Sequence, residues 1–156
     1  SDVCSSDLNM LIFDGKRVLG VEHDKTNIEI PFDVPEGIGE LIIEYSYSPK
    51  EPDEHTAVEA VKAGIMRYGK QLKDKDPYHY LPAKNLVTLS LDSPLGYRGA
   101  AHRQDEKQEH HISRELASPG FIAGEIEAGQ WKLSLNAHCV MCPVTCILKI
   151  TGVAEK

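Results

Sequence analysis

Soft and titratable side chains concentrate in one short run, His138-Cys139-Val140-Met141-Cys142-Pro143-Val144-Thr145-Cys146. A Cys-x-x-Cys pair followed by a third cysteine and preceded by a histidine is a ligand set that could hold zinc through thiolate and imidazole. Strand parity points to a different reading. If the chain turns at Cys142-Pro143, Cys139 and Cys146 oppose one another on the face that carries Leu133, Leu135, Leu148 and Ile150. Directly opposed residues have Cβ atoms roughly 4.5–5.5 Å apart. That placement suits two small buried hydrophobes, or a cross-strand disulfide in an oxidising compartment. Cys142 is then exposed in the turn and His138 faces away, so the expectation is no metal site.

A second group lies further back. His102, His110 and His111 share a polar stretch with Asp105, Glu106 and Glu109. Adjacent histidines on an extended chain face opposite ways, so His110 and His111 do not share one ion, and the stretch 102–111 reads as an exposed loop. Arg98, His102 and Arg103 are candidates for contact with an anionic ligand or a neighbouring domain; a turn with solvated arginines accounts for them equally well. The sequence contains no Gly-x-Ser-x-Gly, no phosphate-cradling glycine loop and no His-Glu-x-x-His. No catalytic residue is therefore assigned, and the chain itself reads as a non-enzyme.

The elements that must carry these residues are mostly strands. Met10–Phe13 is short and apolar, Asp14-Gly15 is a hairpin signal, and 17–22 and 27–32 are the next candidates. After a turn at Pro35-Glu36-Gly37, the segment 40–47 alternates, with Leu41, Ile43, Tyr45 and Tyr47 on one face. Segment 54–72 is the helical exception: Val58, Val61, Ile65, Tyr68 and Leu72 recur at spacings of three and four. It reads as an amphipathic helix packed on its own domain. A polar connector, 74–84, leads to alternation over 86–91 and then to a turn-rich stretch, 92–99. A short strand is expected over 112–116, repeated bends over 118–129, and strands over 130–140 and 145–151. Trp131, in register with Leu133 and Leu135, belongs to the core rather than to a carbohydrate-stacking surface.

Eight or nine short strands with one inserted helix predict a mainly β fold, an antiparallel β-sandwich of jelly-roll type. The 156 residues suffice for one domain. A net charge of −7 provides no basic surface for nucleic acid or an anionic membrane, and no apolar run approaches a membrane span. The expected location is cytoplasmic.

The first eight residues, SDVCSSDL, resemble a translated sequencing adapter and are set aside as non-native. The domain then runs over 9–152, and 153–156 begin a linker. The run Leu89-Ser90-Leu91, Pro94, Gly96-Tyr97-Arg98-Gly99, Ile112-Ser113, Ala117-Ser118-Pro119-Gly120-Phe121-Ile122-Ala123-Gly124-Glu125-Ile126 and Gly129-Gln130-Trp131-Lys132-Leu133 resembles a known domain. It is similar to the N-terminal β-sandwich of PHP-domain metallohydrolases (polymerase and histidinol phosphatase type, the CehA/McbA-like group). Ile30-Pro31-Phe32-Asp33-Val34-Pro35-Glu36-Gly37 and Glu44-Tyr45-Ser46-Tyr47 fit the front of the same domain. The resemblance implies a parent hydrolase acting on phosphoesters. It places the divalent metal ions and their ligands in a downstream catalytic barrel, beyond this chain, and makes that barrel this domain's partner. No cofactor is expected here. A free-standing module for glycans or other small ligands is the alternative.

Overall fold

A computed structural model describes residues 8–68 and 84–155. Eight strands form: β1 (Asn9–Leu19), β2 (Thr26–Val34), β3 (Ile38–Ser48), β4 (Leu86–Ser93), β5 (Gly96–Ala101), β6 (Lys107–Ser113), β7 (Gly129–Cys139) and β8 (Val144–Ala154). One helix, α1 (Glu54–Tyr68), lies between β3 and β4. The strands make two antiparallel four-stranded sheets, ordered β1-β8-β3-β6 and β2-β7-β4-β5. This is the strand order of a jelly roll, in which nearly every connection passes from one sheet to the other.

Alternation explains the two inner faces. Leu41, Ile43, Tyr45 and Tyr47 of β3 point inward together with Cys146, Leu148 and Ile150 of β8. The opposing sheet supplies Trp131, Leu133 and Leu135 of β7, Val87, Leu89 and Leu91 of β4, and Ile30 and Phe32 of β2. Trp131 is fully buried and stacks on Phe32, with ring centroids 6.3 Å apart. Burying a side chain of the Leu, Ile or Phe class contributes about 1.5–3 kcal/mol each, so these two rows supply most of the driving force.

Three expectations are corrected. Asp14-Gly15 does not turn: β1 runs straight through, with Asp14 opposite Lys149 and Gly15 opposite Leu148. A long partner strand satisfies the backbone there, and the local turn signal loses to it. Its second half ends at Leu19, and Val21–His23 form a 3-10 turn. The stretch 92–99 holds a single tight turn at Pro94-Leu95, after which Gly96-Tyr97-Arg98-Gly99 is part of β5. The stretch 102–111 is not one exposed loop. Its second half is β6, whose Gln108 and His110 face inward opposite Tyr45 and Ile43.

The helix begins at a built cap. Asp53 accepts hydrogen bonds from the Thr56 N–H (2.8 Å) and the Thr56 hydroxyl (2.7 Å), which hold its carboxyl below the usual range. Ala57 and Val58 are buried. Leu72 and most of the expected 74–84 connector lie outside the described residues, as do 1–7.

Candidate functional site

The cysteine run is the first region to place. β7 belongs to one sheet and β8 to the other, so Val140–Pro143 crosses the sandwich edge and is not a hairpin. Cys139 lies opposite Leu86 of β4, whereas Cys146 lies between Arg17 of β1 and Tyr47 of β3. The expected facing pair does not exist, and all three cysteines are free thiols. Parity was read correctly for Cys146, but partnership was wrong because sequence neighbours in a jelly roll rarely pair.

Each thiol has its own surroundings. Cys146 is buried beside Tyr45, whose hydroxyl donates to the Val87 carbonyl at 2.9 Å and lies 3.8 Å from Sγ of Cys146. Burial pushes the Cys146 thiol up to about 11 and the Tyr45 phenol far above its ordinary value. Both stay neutral and inert. Cys142 is half-buried and its Sγ lies 3.4 Å from Nδ2 of Asn85. Cys139 is half-buried, and burial with the nearby Asp24 carboxylate raises its thiol. His138 is exposed on the outer face, its Nε2 2.9 Å from the Thr88 hydroxyl. The four candidate metal ligands are thus not gathered. Among the described residues, no group of three or more His, Cys, Asp or Glu could hold a metal ion.

Arg98 is the second region. Its side chain is 9% exposed and is enclosed by the irregular segment between β6 and β7. The guanidinium donates to the carbonyls of Ile122 (3.1 Å), Gly124 (3.1 Å) and Glu125 (2.9 Å) and to the Glu127 carboxylate (2.9 Å). It also lies 5.1 Å from the Trp131 ring, while the Trp131 indole donates to the Glu127 carbonyl at 2.8 Å. Gly99 and Gly120 make this possible. Both have positive φ, and a Cβ on Gly99 would collide with the Gly120 carbonyl. That carbonyl accepts from the Ala100 N–H at 3.0 Å, so the segment covers the free edge of β5. As a contact for an anionic ligand or a neighbouring domain, Arg98 is corrected: its nitrogens are engaged inside the fold. Arg103 and His102 are exposed, and Arg103 pairs with Asp105 at 2.9 Å.

His110 is the residue that the sequence reading placed on the wrong side of the surface. It is fully buried, with its ring 5.0 Å from that of Phe121. Nε2 lies 2.8 Å from Oε1 of Gln108, and Nδ1 has no partner. The Gln108 amide in turn donates from Nε2 to the carbonyls of Arg103 (3.3 Å) and Asp105 (2.9 Å). Burial, reinforced by Arg103 and His111, holds the imidazole below its ordinary value, hence neutral. His111 points outward to Glu109 at 2.8 Å. The signal that could have placed His110 is the alternation Gln108, His110, Ile112, which polar residue types conceal.

The two outer faces differ. On β1-β8-β3-β6, Leu11, Val18 and Ile147 are each more than half exposed. They surround an in-register charged row, Asp14, Lys149, Glu44 and Glu109, beside an open groove of about 500 Å³. On β2-β7-β4-β5, Ser90, Asn136, Thr88 and His138 form a chain of hydrogen-bonding groups with steps of 3.5, 3.4 and 2.9 Å. Tyr97, 60% exposed, shares that face with Asp92 and Lys132.

The chain is thus an antiparallel jelly-roll sandwich whose buried polar residues hold its own loops. No family model and no curated protein sequence matches it. Among solved structures, it is similar to the lipase BlEst2 of Bacillus licheniformis in its propeptide form: 13% identity, TM-score 0.41, 99% of this chain covered. The chain spans only 23% of that lipase. A protein of Sulfurospirillum deleyianum aligns at 3% identity and TM-score 0.34, over 92% of this chain and 99% of that one. No helix among the described residues is long and apolar enough to cross a membrane.

Proposed function

We propose that this sandwich is a non-catalytic accessory domain that packs against the catalytic barrel of a PHP-type, metal-dependent phosphoesterase on the same polypeptide. The resemblance of segments 30–47 and 89–133 supplies the family. The observation that carries the packing role is the outer face of β1-β8-β3-β6. Leu11, Val18 and Ile147 there are exposed around a charged row of one lysine and three carboxylates, a mixture suited to an interface between domains of one chain. Divalent metals and phosphoester chemistry belong to the barrel in this reading, and its setting is cytoplasmic.

Hydroxyl-radical footprinting of the longer polypeptide tests it. Val18 and Ile147 should be protected there and reactive in the 156-residue chain. Equal reactivity in both would remove the packing role. Phosphatase assays of the short chain should read blank; turnover that follows the purified chain would refute the non-catalytic assignment.

A second reading has its own observation. Tyr97 stands exposed beside the polar strip of the other face, an arrangement that could stack on a sugar ring and hydrogen-bond its hydroxyls. Glycan-array binding that disappears in Tyr97→Ala would move the assignment to this reading.

A further inference from the structure

Asn85 organises the link that carries the Cys-x-x-Cys pair. It is fully buried, and its own N–H donates to the Lys50 carbonyl at 2.7 Å. Its Oδ1 accepts from the Met141 N–H at 2.8 Å and its Nδ2 lies 3.4 Å from Sγ of Cys142. The Val140 N–H donates to Asp24 at 2.7 Å, and the Val140 side chain is buried. Both residues between the two cysteines are therefore pinned. The bend returns Cys142 over Asn85, which directly precedes Leu86, the register partner of Cys139. Cys139 and Asn85 line one cavity of about 260 Å³, flanked by the cations Lys50 and Lys84.

We propose that Cys139 and Cys142 form a dithiol site that is oxidised to an intramolecular disulfide by a small anionic disulfide such as glutathione disulfide, while Cys146 remains reduced. The site does not depend on the function proposed above. In the first step the Cys139 thiolate attacks one sulfur of the reagent, whose carboxylates Lys50 and Lys84 attract. A mixed disulfide forms at Cys139, and one glutathione thiolate leaves and takes up a proton. The Cys142 thiolate then displaces the second glutathione thiolate, which is also protonated. Two electrons pass from the protein dithiol to the reagent, giving one protein disulfide and two glutathione thiols. The product closes the bend by which the chain passes from one sheet to the other. Because burial and Asp24 disfavour the Cys139 thiolate, the first step speeds up as pH rises above neutral.

The test uses the full chain carrying Cys4→Ser, equilibrated in glutathione buffers from fully reducing to fully oxidising, then acid-quenched, alkylated and mapped by peptide mass. The expected result is joint loss of alkylation at Cys139 and Cys142, restored by a dithiol reductant, with Cys146 alkylated only after unfolding. In a further Cys142→Ser variant, Cys139 should stop at the glutathione adduct. In Lys50→Glu/Lys84→Glu, adduct formation should slow several-fold. Independent alkylation of both cysteines in the oxidising buffer overturns the proposal, as does a disulfide that includes Cys146.

Discussion

Two buried polar clusters flank the irregular segment 114–128, and they differ in one respect. Around Arg98, the guanidinium meets three carbonyls and a carboxylate. Around His110, one ring nitrogen is bonded and the other has nothing. A charge is tolerated in the first because the fold surrounds it with acceptors; in the second, only a neutral ring is tolerated. A buried polar group thus stabilises this sandwich according to how completely it is satisfied, not according to how many bonds its neighbours make.

Breaking the first cluster should have the largest effect. Arg98→Met removes the donor to three carbonyls and to Oε2 of Glu127, whose Oε1 keeps the Ser93 hydroxyl, and should cost about 3–5 kcal/mol in chemical denaturation. Arg98→Lys should recover only part of this, since an ammonium cannot reproduce the planar fork. A loss below about 1 kcal/mol would mean that solvent replaces the arginine readily.

The second cluster should appear as pH dependence. The folded His110 imidazole is held below its ordinary value of 6.5. Well above 6.5, neither the folded nor the unfolded histidine binds a proton, and the group imposes no penalty. As pH falls below 6.5, the unfolded chain takes up the proton first, so stability declines until the folded ring also titrates. The slope in that window should approach about 1.4 kcal/mol per pH unit. His110→Phe should remove this contribution, and an unchanged slope between about pH 6.5 and 5 would exclude His110 as its source.

The smallest effect sharpens the contrast within β5 and the loop that follows it. The Arg103 side chain is half exposed and pairs with Asp105. Arg103→Ala should shift stability by no more than about 0.5 kcal/mol, against the several expected for Arg98. Comparable losses at the two positions would show that the exposed pair matters more than its setting implies.

Much of the fold was legible because alternation reports burial. Leu41 to Tyr47, Val87 to Leu91 and Trp131 to Ala137 all face inward as their spacing predicts. The candidate site was legible only in part. Arg98 and the cysteines drew attention by residue type, yet their roles depended on neighbours distant in sequence: Glu127 for Arg98, Asn85 for Cys142, Tyr45 for Cys146. Asp14-Gly15 and 102–111 were misread because turn signals and polar composition are local, whereas β8 and β3 supply strand partners from elsewhere.

By itself, the sequence determined which residues face the core and that the chain is an antiparallel sandwich, because side-chain alternation is a property of each strand alone. Only the tertiary structure decided which strands pair. In a jelly roll, successive strands go to opposite sheets, so Cys139 and Cys146, seven positions apart, part company at the sandwich edge. The same separation explains why Arg98 lies inside and why His110 is buried: both are covered by the segment that returns across the sheets, and no local pattern records that return.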